Sequence, residues 1–489
     1  MTMLKKIPFF LLLLAIFFCL HGTVENYGFL DMGEVLLIGT VIIICIAVLF
    51  FVIFLFKRDI VFASLLTFFI SLWYLFFGVI HDWIKSYSIF LAFMQSYTVL
   101  VPIIIICTIC WAIWLRRKRP VHQKLFVFLN LLFLIFCIWD AVLLIGKYRQ
   151  TNKELPAYSV SFDAAKVKHK PNVYFLVFDE YAGYKSLKDS FGFANDGLYN
   201  FLQQKEFKIL PTFSNYDYTA FSMASMLNMN YVDSNYNHQL LTQKDVQNRF
   251  GEIRNAQVFS IFRSMGYSLE NYSIFDIKGR PALSQSNPLF PIHAVLLTDK
   301  IFHNRLFKDI GWQLISGRFK IPFLKKHYLY RTDRYNKKAE DLVIRSSANK
   351  SAPKFCYGHF FLPHNPYYRD STGTYNSPAQ MNDVHNKALY VSYLKYSNSV
   401  IQNMVTQIVA NDANAIIIVM SDHGFYNYDS PGDDDPNNYD NFCLVRFPNK
   451  NYPAYKDKWS NVNFFRYLFN AEFGQEMPYL KDSSIYVNE

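Results

Sequence analysis

The sequence predicts an α-helical membrane domain of five helices followed by an α/β domain with a mostly parallel central sheet. Two observations carry this. The long apolar runs of this 489-residue chain nearly all fall before about residue 146. From Pro171 onward the pattern changes to short, wholly apolar runs separated by amphipathic stretches. The first part suits lipid as its solvent, and the second is long enough to bury a core of its own. The predicted division is a transmembrane domain over 1–146, a juxtamembrane linker over 147–170 and an extracytoplasmic domain over 171–489.

Five apolar stretches are candidates for membrane helices: Ile7–Leu20, Val35–Phe56, Ile60–Ile80, Tyr97–Leu115 and Leu125–Ile145. The first is short, but no small-residue cleavage site follows it, which favours an uncleaved helix over a signal peptide. Charges between the stretches set the orientation. Lys5 and Lys6, then Lys57 and Arg58, then Arg116-Arg117-Lys118-Arg119 mark alternate loops as cytoplasmic. Five crossings then put the C-terminal domain on the outer face. The same placement accounts for much of the formal charge of +11, and no nucleic-acid-binding motif accompanies that charge, so nucleic acid is not an expected partner.

In the second part, Val173–Phe178 (VYFLVF), Phe355–Leu362 and Ala415–Met420 (AIIIVM) read as buried strands, while Asn195–Lys205 and Tyr390–Val409 read as helices. Fully apolar strands alternating with helices indicate a parallel sheet covered on both faces. Cys356 and Cys443 lie in two strand-like contexts and read as buried thiols, with a single disulfide between them not demanded.

Parallel sheets gather functional residues at the carboxyl ends of their strands. VYFLVF ends in Asp179-Glu180, and AIIIVM ends in Ser421-Asp422-His423-Gly424. Carboxylates and an imidazole at such ends suit a divalent metal, Zn²⁺ or Mn²⁺. They also suit the capping of following helices, and for Asp179-Glu180 alone the two readings stand level. Ser214–Asn230 (SNYDYTAFSMASMLNMN) reads as a turn entering a helix, with Thr219 near the N-terminus, where backbone N–H groups favour anions. Thr219 is a nucleophile candidate there, although spacing alone favours an ordinary N-cap threonine opening an amphipathic helix. Asp433-Asp434-Asp435 reads as a solvated acidic loop.

The segments Pro171–Tyr181 (PNVYFLVFDEY), Tyr218–Leu227 (YTAFSMASML) and Ile416–Gly424 (IIIVMSDHG) follow the order used by the alkaline-phosphatase/sulfatase superfamily. The chain resembles its membrane sulfatase-like hydrolases and transferases, similar in plan to lipoteichoic acid synthases and lipid A phosphoethanolamine transferases. Pro353–Tyr368 and Trp459–Val487 extend the resemblance through the second part of the chain. It implies an alkaline-phosphatase-like fold and a divalent metal. Asp179 matches the acidic ligand ending the first strand, with Glu180 as its neighbour. Thr219 matches the nucleophile of the T-A-x-S pattern, Asp422 and His423 match the remaining metal ligands, and His364 in PHNPYY matches a histidine near the substrate's phosphate.

There are departures. Thr219-Ala220-Phe221-Ser222 lacks the cysteine, proline and arginine of the formylglycine motif that sulfatases need. The transferases' histidine downstream of DHG is missing from Phe425–Asn441, and the cysteines are too few for their disulfides. The resemblance implies a transferase on the plasma (inner) membrane with its catalytic domain periplasmic or extracytoplasmic. It would move a phosphoethanolamine or phosphoglycerol headgroup from a membrane phospholipid to a cell-surface glycan or lipid. A hydrolase of the same superfamily is the alternative, and a non-catalytic membrane sensor or scaffold is a third.

Overall fold

The computed structural model describes residues 7–27, 30, 32–87, 95–117, 119–154, 160–232, 241–283, 294–315, 329–349, 353–426, 435–454 and 456–487. Asp433 and Asp434 of the acidic loop lie outside them. The chain forms two compact units. The first takes residues 1–154 together with 287–329; the second takes 155–286 and 330–489.

The first unit contains α1 (Phe9–Glu25), α2 (Met32–Lys57), α3 (Ile60–Tyr87), α4 (Tyr97–Arg117) and α5 (Arg119–Glu154). Four helical segments among the described residues are long and apolar enough to cross a membrane: Met32–Lys57, Ile60–Ser86, Tyr97–Arg117 and Val121–Arg149. The fifth apolar stretch forms α1, a shorter helix of 17 residues. At 1.5 Å per residue it rises about 26 Å, against a hydrocarbon core of about 30 Å. It is nonetheless central to its unit, since Phe10, Leu14 and Ala15 are inaccessible to solvent. Polar groups of α5 reach it: Asn130 Oδ1 accepts from Phe10 N at 2.7 Å, Asp140 lies 3.2 Å from His21 Nδ1, and Lys147 Nζ donates to Val24 O at 2.6 Å.

The linker expected from residue 147 begins later, because α5 continues to Glu154. Its residues KYRQTNKE are mostly strong helix formers, so nothing stops the helix where the apolar run ends. The segment 287–329, which the sequence places within the second part, groups with the first unit. It contributes helices Ala294–Thr298 and Phe302–Ile315, numbered below as α11 and α12. Close approach makes this packing depend on two glycines. A Cβ at Gly22 would lie 2.2 Å from Leu297 Cδ1, and one at Gly78 would lie 2.8 Å from Lys300 Cα.

The second unit is built on β1 (Val173–Phe178), β2 (Lys208–Ile209), β3 (Thr212–Phe213), β4 (Ser268–Tyr272), β5 (Lys354–Phe360), β6 (Ile416–Ser421), β7 (Cys443–Arg446) and β8 (Trp459–Ser460). Its helices are α6 (Tyr184–Phe191), α7 (Asp196–Gln204), α8 (Thr219–Asn228), α9 (Gln243–Arg254), α10 (Gln257–Ser264), α13 (Arg331–Ala348), α14 (Pro378–Met381), α15 (Lys387–Asn411) and α16 (Phe464–Glu472). The main sheet runs β2-β7-β6-β1-β5-β4. β6, β1, β5 and β4 are parallel, and β7 and β2 join antiparallel at one edge. Every residue of β1, β5 and β6 is buried, as their two-sided apolar runs require. Phe175, Phe355 and Tyr357 pack with Phe259, Phe262, Phe464 and Phe465 on the face covered by α8, α10 and α16. Cys356 and Cys443 are both free and buried, on strands separated by β1 and β6.

Candidate active site

Strand register assembles the site. Phe178 of β1 pairs with Phe360 on one side and Ser421 on the other, and Val177 pairs with His359. Asp179 and Asp422 therefore leave the sheet side by side. Side chains alternate along strands, so His359, two residues before the level of Asp179, shares the face of both carboxylates. That face is the one covered by α8, whose first residue is Thr219. All later residues of α8 are buried, which seats the helix firmly on the sheet.

Asp179, His359 and Asp422 each offer a ligand atom, and these atoms lie within 4.8 Å of one another. Thr219 Oγ1 reaches into the same place, 3.4 Å from Asp179 Oδ1 and 3.2 Å from His423 Nε2. His423 Nε2 lies 3.5 Å from Asp422 Oδ2 and 3.7 Å from Asp179 Oδ1.

The backbone aims these groups. Asp422 Oδ1 accepts from the amides of Glu180 at 3.2 Å and His423 at 2.9 Å. Its other oxygen, Oδ2, is buried with no hydrogen-bond partner. His423 Nδ1 lies 2.8 Å from Gly424 O; a carbonyl only accepts, so Nδ1 carries a proton and Nε2 turns to the cluster. His359 Nδ1 lies 3.0 Å from the Tyr357 hydroxyl, while its Nε2 is buried and unpartnered. Gly424 permits the close approach of Asn437, because a Cβ there would sit 1.9 Å from Asn437 O.

Unpaired buried polar atoms cost free energy unless something satisfies them. Here Asp422 Oδ2, His359 Nε2 and Glu180 Oε2 are all left open in one region. Two carboxylates with one or two imidazoles form a donor set of the kind that Zn²⁺ or Mn²⁺ takes. The residues present therefore fit a divalent metal, with Asp179, Asp422 and His359 as the core and His423 and Thr219 at its margin.

The electrostatics agree with a cation's place. Burial and the neighbouring Asp422 push the Asp179 carboxyl up to about 7. Burial also raises Glu180. For Asp422 burial acts upward, but His423 and His359 outweigh it and hold the carboxyl low. Burial pushes His359 down to about 4, which leaves it a neutral ligand near neutrality. In His423 burial is outweighed by Asp422, Asp179 and Glu180, and the imidazole is raised. His364 follows the same logic: Asp179 and Glu180 overcome burial and lift it to about 9.

Glu180 and His364 form a neighbouring pair. Glu180 Oε1 accepts from Tyr426 N at 3.1 Å, and Oε2 lies 3.9 Å from His364 Nε2. Glu180 takes a left-handed backbone conformation with φ 60°, uncommon for a non-glycine residue and a mark of a constrained site. The structure thus brings Asp179, Thr219, Asp422 and His423 together, and sets Glu180 and His364 beside them. His359 is the residue that the sequence did not single out. Its signal was faint: one histidine in an apolar strand, two positions before the strand's carboxyl end.

The sulfatase family model matches residues 210–471, more than half of the chain. This protein belongs to the sulfatase family. The match covers Thr219, His359, His364, Asp422 and His423 and begins after Asp179 and Glu180. The family sits in the alkaline-phosphatase/sulfatase superfamily of enzymes. No curated protein matches in sequence. Among solved structures, the C-terminal periplasmic domain of EcEptC from Escherichia coli, in complex with Zn, is similar at 11% identity. That overlap covers 66% of this chain and 91% of that one, with a TM-score of 0.40. A phosphonate monoester hydrolase of Agrobacterium radiobacter is similar at 14% identity over 65% of this chain and 76% of its own, with a TM-score of 0.37. BT1596, a 2-O GAG sulfatase, shares 11% identity over 65% of this chain and 73% of its own, also with a TM-score of 0.37.

Proposed function

We propose that this chain is a metal-dependent transferase that moves a phosphoethanolamine- or phosphoglycerol-type headgroup from a membrane phospholipid to a cell-surface glycan or lipid. One observation carries the reading. Thr219, a hydroxyl on the first residue of a helix, lies within 3.4 Å of a buried carboxylate and 3.2 Å of an imidazole. A divalent cation, zinc or manganese, held by Asp179, Asp422 and His359 with His423 would supply Lewis-acid stabilisation to the threonine alkoxide and the phosphoryl oxygens.

The residues themselves account for the proton and bond changes. The Asp179 carboxylate, its Oδ1 at 3.4 Å, is the acceptor in reach of the Thr219 Oγ–H proton. Thr219 Oγ bonds to the donor's phosphorus as the bond to the diacylglycerol oxygen breaks. His364, protonated near neutrality, gives that leaving oxygen its proton. Backbone N–H groups at the start of α8 face the charge that develops on the phosphoryl oxygens. In the second half an acceptor hydroxyl attacks the phospho-threonine, its proton passes to His364, and Thr219 recovers its own. The threonine in place of the formylglycine motif favours this phospho-enzyme route over sulfate-ester hydrolysis.

We place the catalytic domain on the outer, periplasmic side of the inner membrane. Four helices long and apolar enough to cross, α1 taken as a fifth crossing, and basic residues on alternate loops support this reading. A lipid donor in the outer leaflet is then held near the site at high effective concentration.

The test is headgroup release from labelled phosphatidylethanolamine or phosphatidylglycerol in detergent micelles, with zinc or manganese, with and without a lipid or glycan acceptor. Thr219→Ala is expected to lower turnover by about 10³-fold or more. Turnover near the wild-type rate in that variant contradicts the reading. Release that is independent of acceptor would make the enzyme a hydrolase instead. Metal-loaded wild type inactive on every donor would favour a sensor or scaffold.

A further inference from the structure

Three residues in the first turns of helix α13 (Arg331–Ala348) hold the segment that carries both His359 and His364. Asn336 pairs with the backbone of Phe361 at two points, its Nδ2 donating to Phe361 O at 3.1 Å and its Oδ1 accepting from Phe361 N at 2.9 Å. Tyr335 donates its hydroxyl to His359 O at 2.7 Å. Asp333 grips Arg369 with both oxygens, at 2.8 and 2.7 Å, and accepts from the Tyr375 hydroxyl at 2.8 Å. Arg369 is in turn stacked 4.0 Å from the centre of the Tyr375 ring and donates to Gly373 O.

The stretch 361–369 is therefore stapled at both ends to one helix, with His364 between the staples. At its near end, Phe360 O also accepts the amide of Asp179 at 2.9 Å. Asp333 and Asn336 are each only 5% exposed. A helix that needed only to cover the sheet would bury apolar groups there, because burying an amide and a carboxylate is costly unless every bond is made. Here the side-chain bonds of both go to the histidine segment and its clasp. Bidentate pairing fixes orientation as well as distance.

We infer that Asp333, Tyr335 and Asn336 are positioning residues for the transfer reaction, acting through the backbone of residues 359–369 on His359 and His364. The inference rests on the proposed roles of those two histidines. Second-sphere residues that aim ligands and acid–base groups typically matter 10–100-fold although they never meet substrate.

The test uses full-length protein in detergent with Asn336→Ala and with Asn336→Asp, which keeps the size and the acceptor for Phe361 N but loses the donor to Phe361 O. Backbone hydrogen exchange is followed in peptides covering 359–369, with 219–228 as the control. Turnover of the labelled lipid donor is followed in the same variants, alone and combined with His364→Ala. The expected result is exchange at least tenfold faster over 359–369, unchanged over 219–228, and kcat lowered 10–100-fold with KM little altered. In the His364→Ala background the Asn336 penalty should shrink to the part transmitted through His359, because both changes disable one unit. Unchanged exchange over 359–369 overturns the inference, and so does a penalty of full size on top of His364→Ala. If Asn336→Ala fails to fold, Asn336→Asp decides. If wild type acts on no lipid donor, the transferase reading fails, and the exchange measurement still decides whether α13 holds the histidine segment.

Discussion

His364→Gln should flatten the alkaline limb of stability in the metal-free protein. The His364 imidazole is raised from 6.5 to about 9 against the pull of burial, because Asp179 and Glu180 face it. A group whose folded pKa exceeds its unfolded value contributes fully below the unfolded pKa and loses that contribution as pH rises through the folded one. The loss therefore lies between pH 6.5 and 9. A rise of about 2.5 units corresponds to roughly 3 kcal/mol. The side chain is 32% exposed, so solvent screens part of this, leaving about 1–2 kcal/mol. For a domain of this size each kcal/mol moves the midpoint by about 2 °C. Thermal unfolding of chelator-treated protein at pH 6.5 and 9 should thus show wild type losing about 2–4 °C more than His364→Gln. Asp179, raised from 3.8 to about 7, loses its own contribution mostly below this window. Parallel pH dependences in the two proteins would refute the placement of His364 against the carboxylates.

Further outcomes follow from the same geometry. Zinc or manganese at about 100 times its Kd should stabilise the second unit by about 2.7 kcal/mol, and Asp422→Asn should abolish that shift, as read by thermal unfolding. A stabilisation that survives Asp422→Asn would move the cation elsewhere. Gly424→Ala places a Cβ 1.9 Å from Asn437 O, so the loop must shift; about 1–3 kcal/mol of stability should be lost, with turnover falling alongside. An unchanged melting temperature would contradict that contact. Gly78→Val should disrupt the packing of the segment after α11 on α3, seen as protease cleavage within 294–315, while wild type resists there.

Much of this is legible in the sequence alone. VYFLVF and AIIIVM could only be strands buried on both faces, and a parallel sheet ranks their carboxyl ends as the site. That logic reached Asp179, Glu180, Asp422 and His423. Thr219 needed the resemblance, because a threonine opening a helix is also an ordinary cap. His359 escaped because its meaning lies in register: only the pairing of Val177 with His359 puts its side chain on the face of the two aspartates. The grouping of 287–329 with the membrane helices escaped for a similar reason, since Ala294–Thr298 is a brief apolar run whose partner, Gly22, lies more than 200 residues away. The clasp of Arg369 by Asp333 likewise joins residues far apart in sequence, and neither residue signals the other.

Whether Thr219 is the nucleophile is decided by intact mass. Wild type and Thr219→Ala, each also in a His364→Ala background to slow turnover of the adduct, are incubated with metal and mixed phospholipids. The expected result is a covalent adduct on Thr219, absent from Thr219→Ala, whose mass separates phosphoethanolamine from phosphoglycerol. A folded, metal-loaded protein that forms no adduct, or forms the same adduct without Thr219, would contradict it.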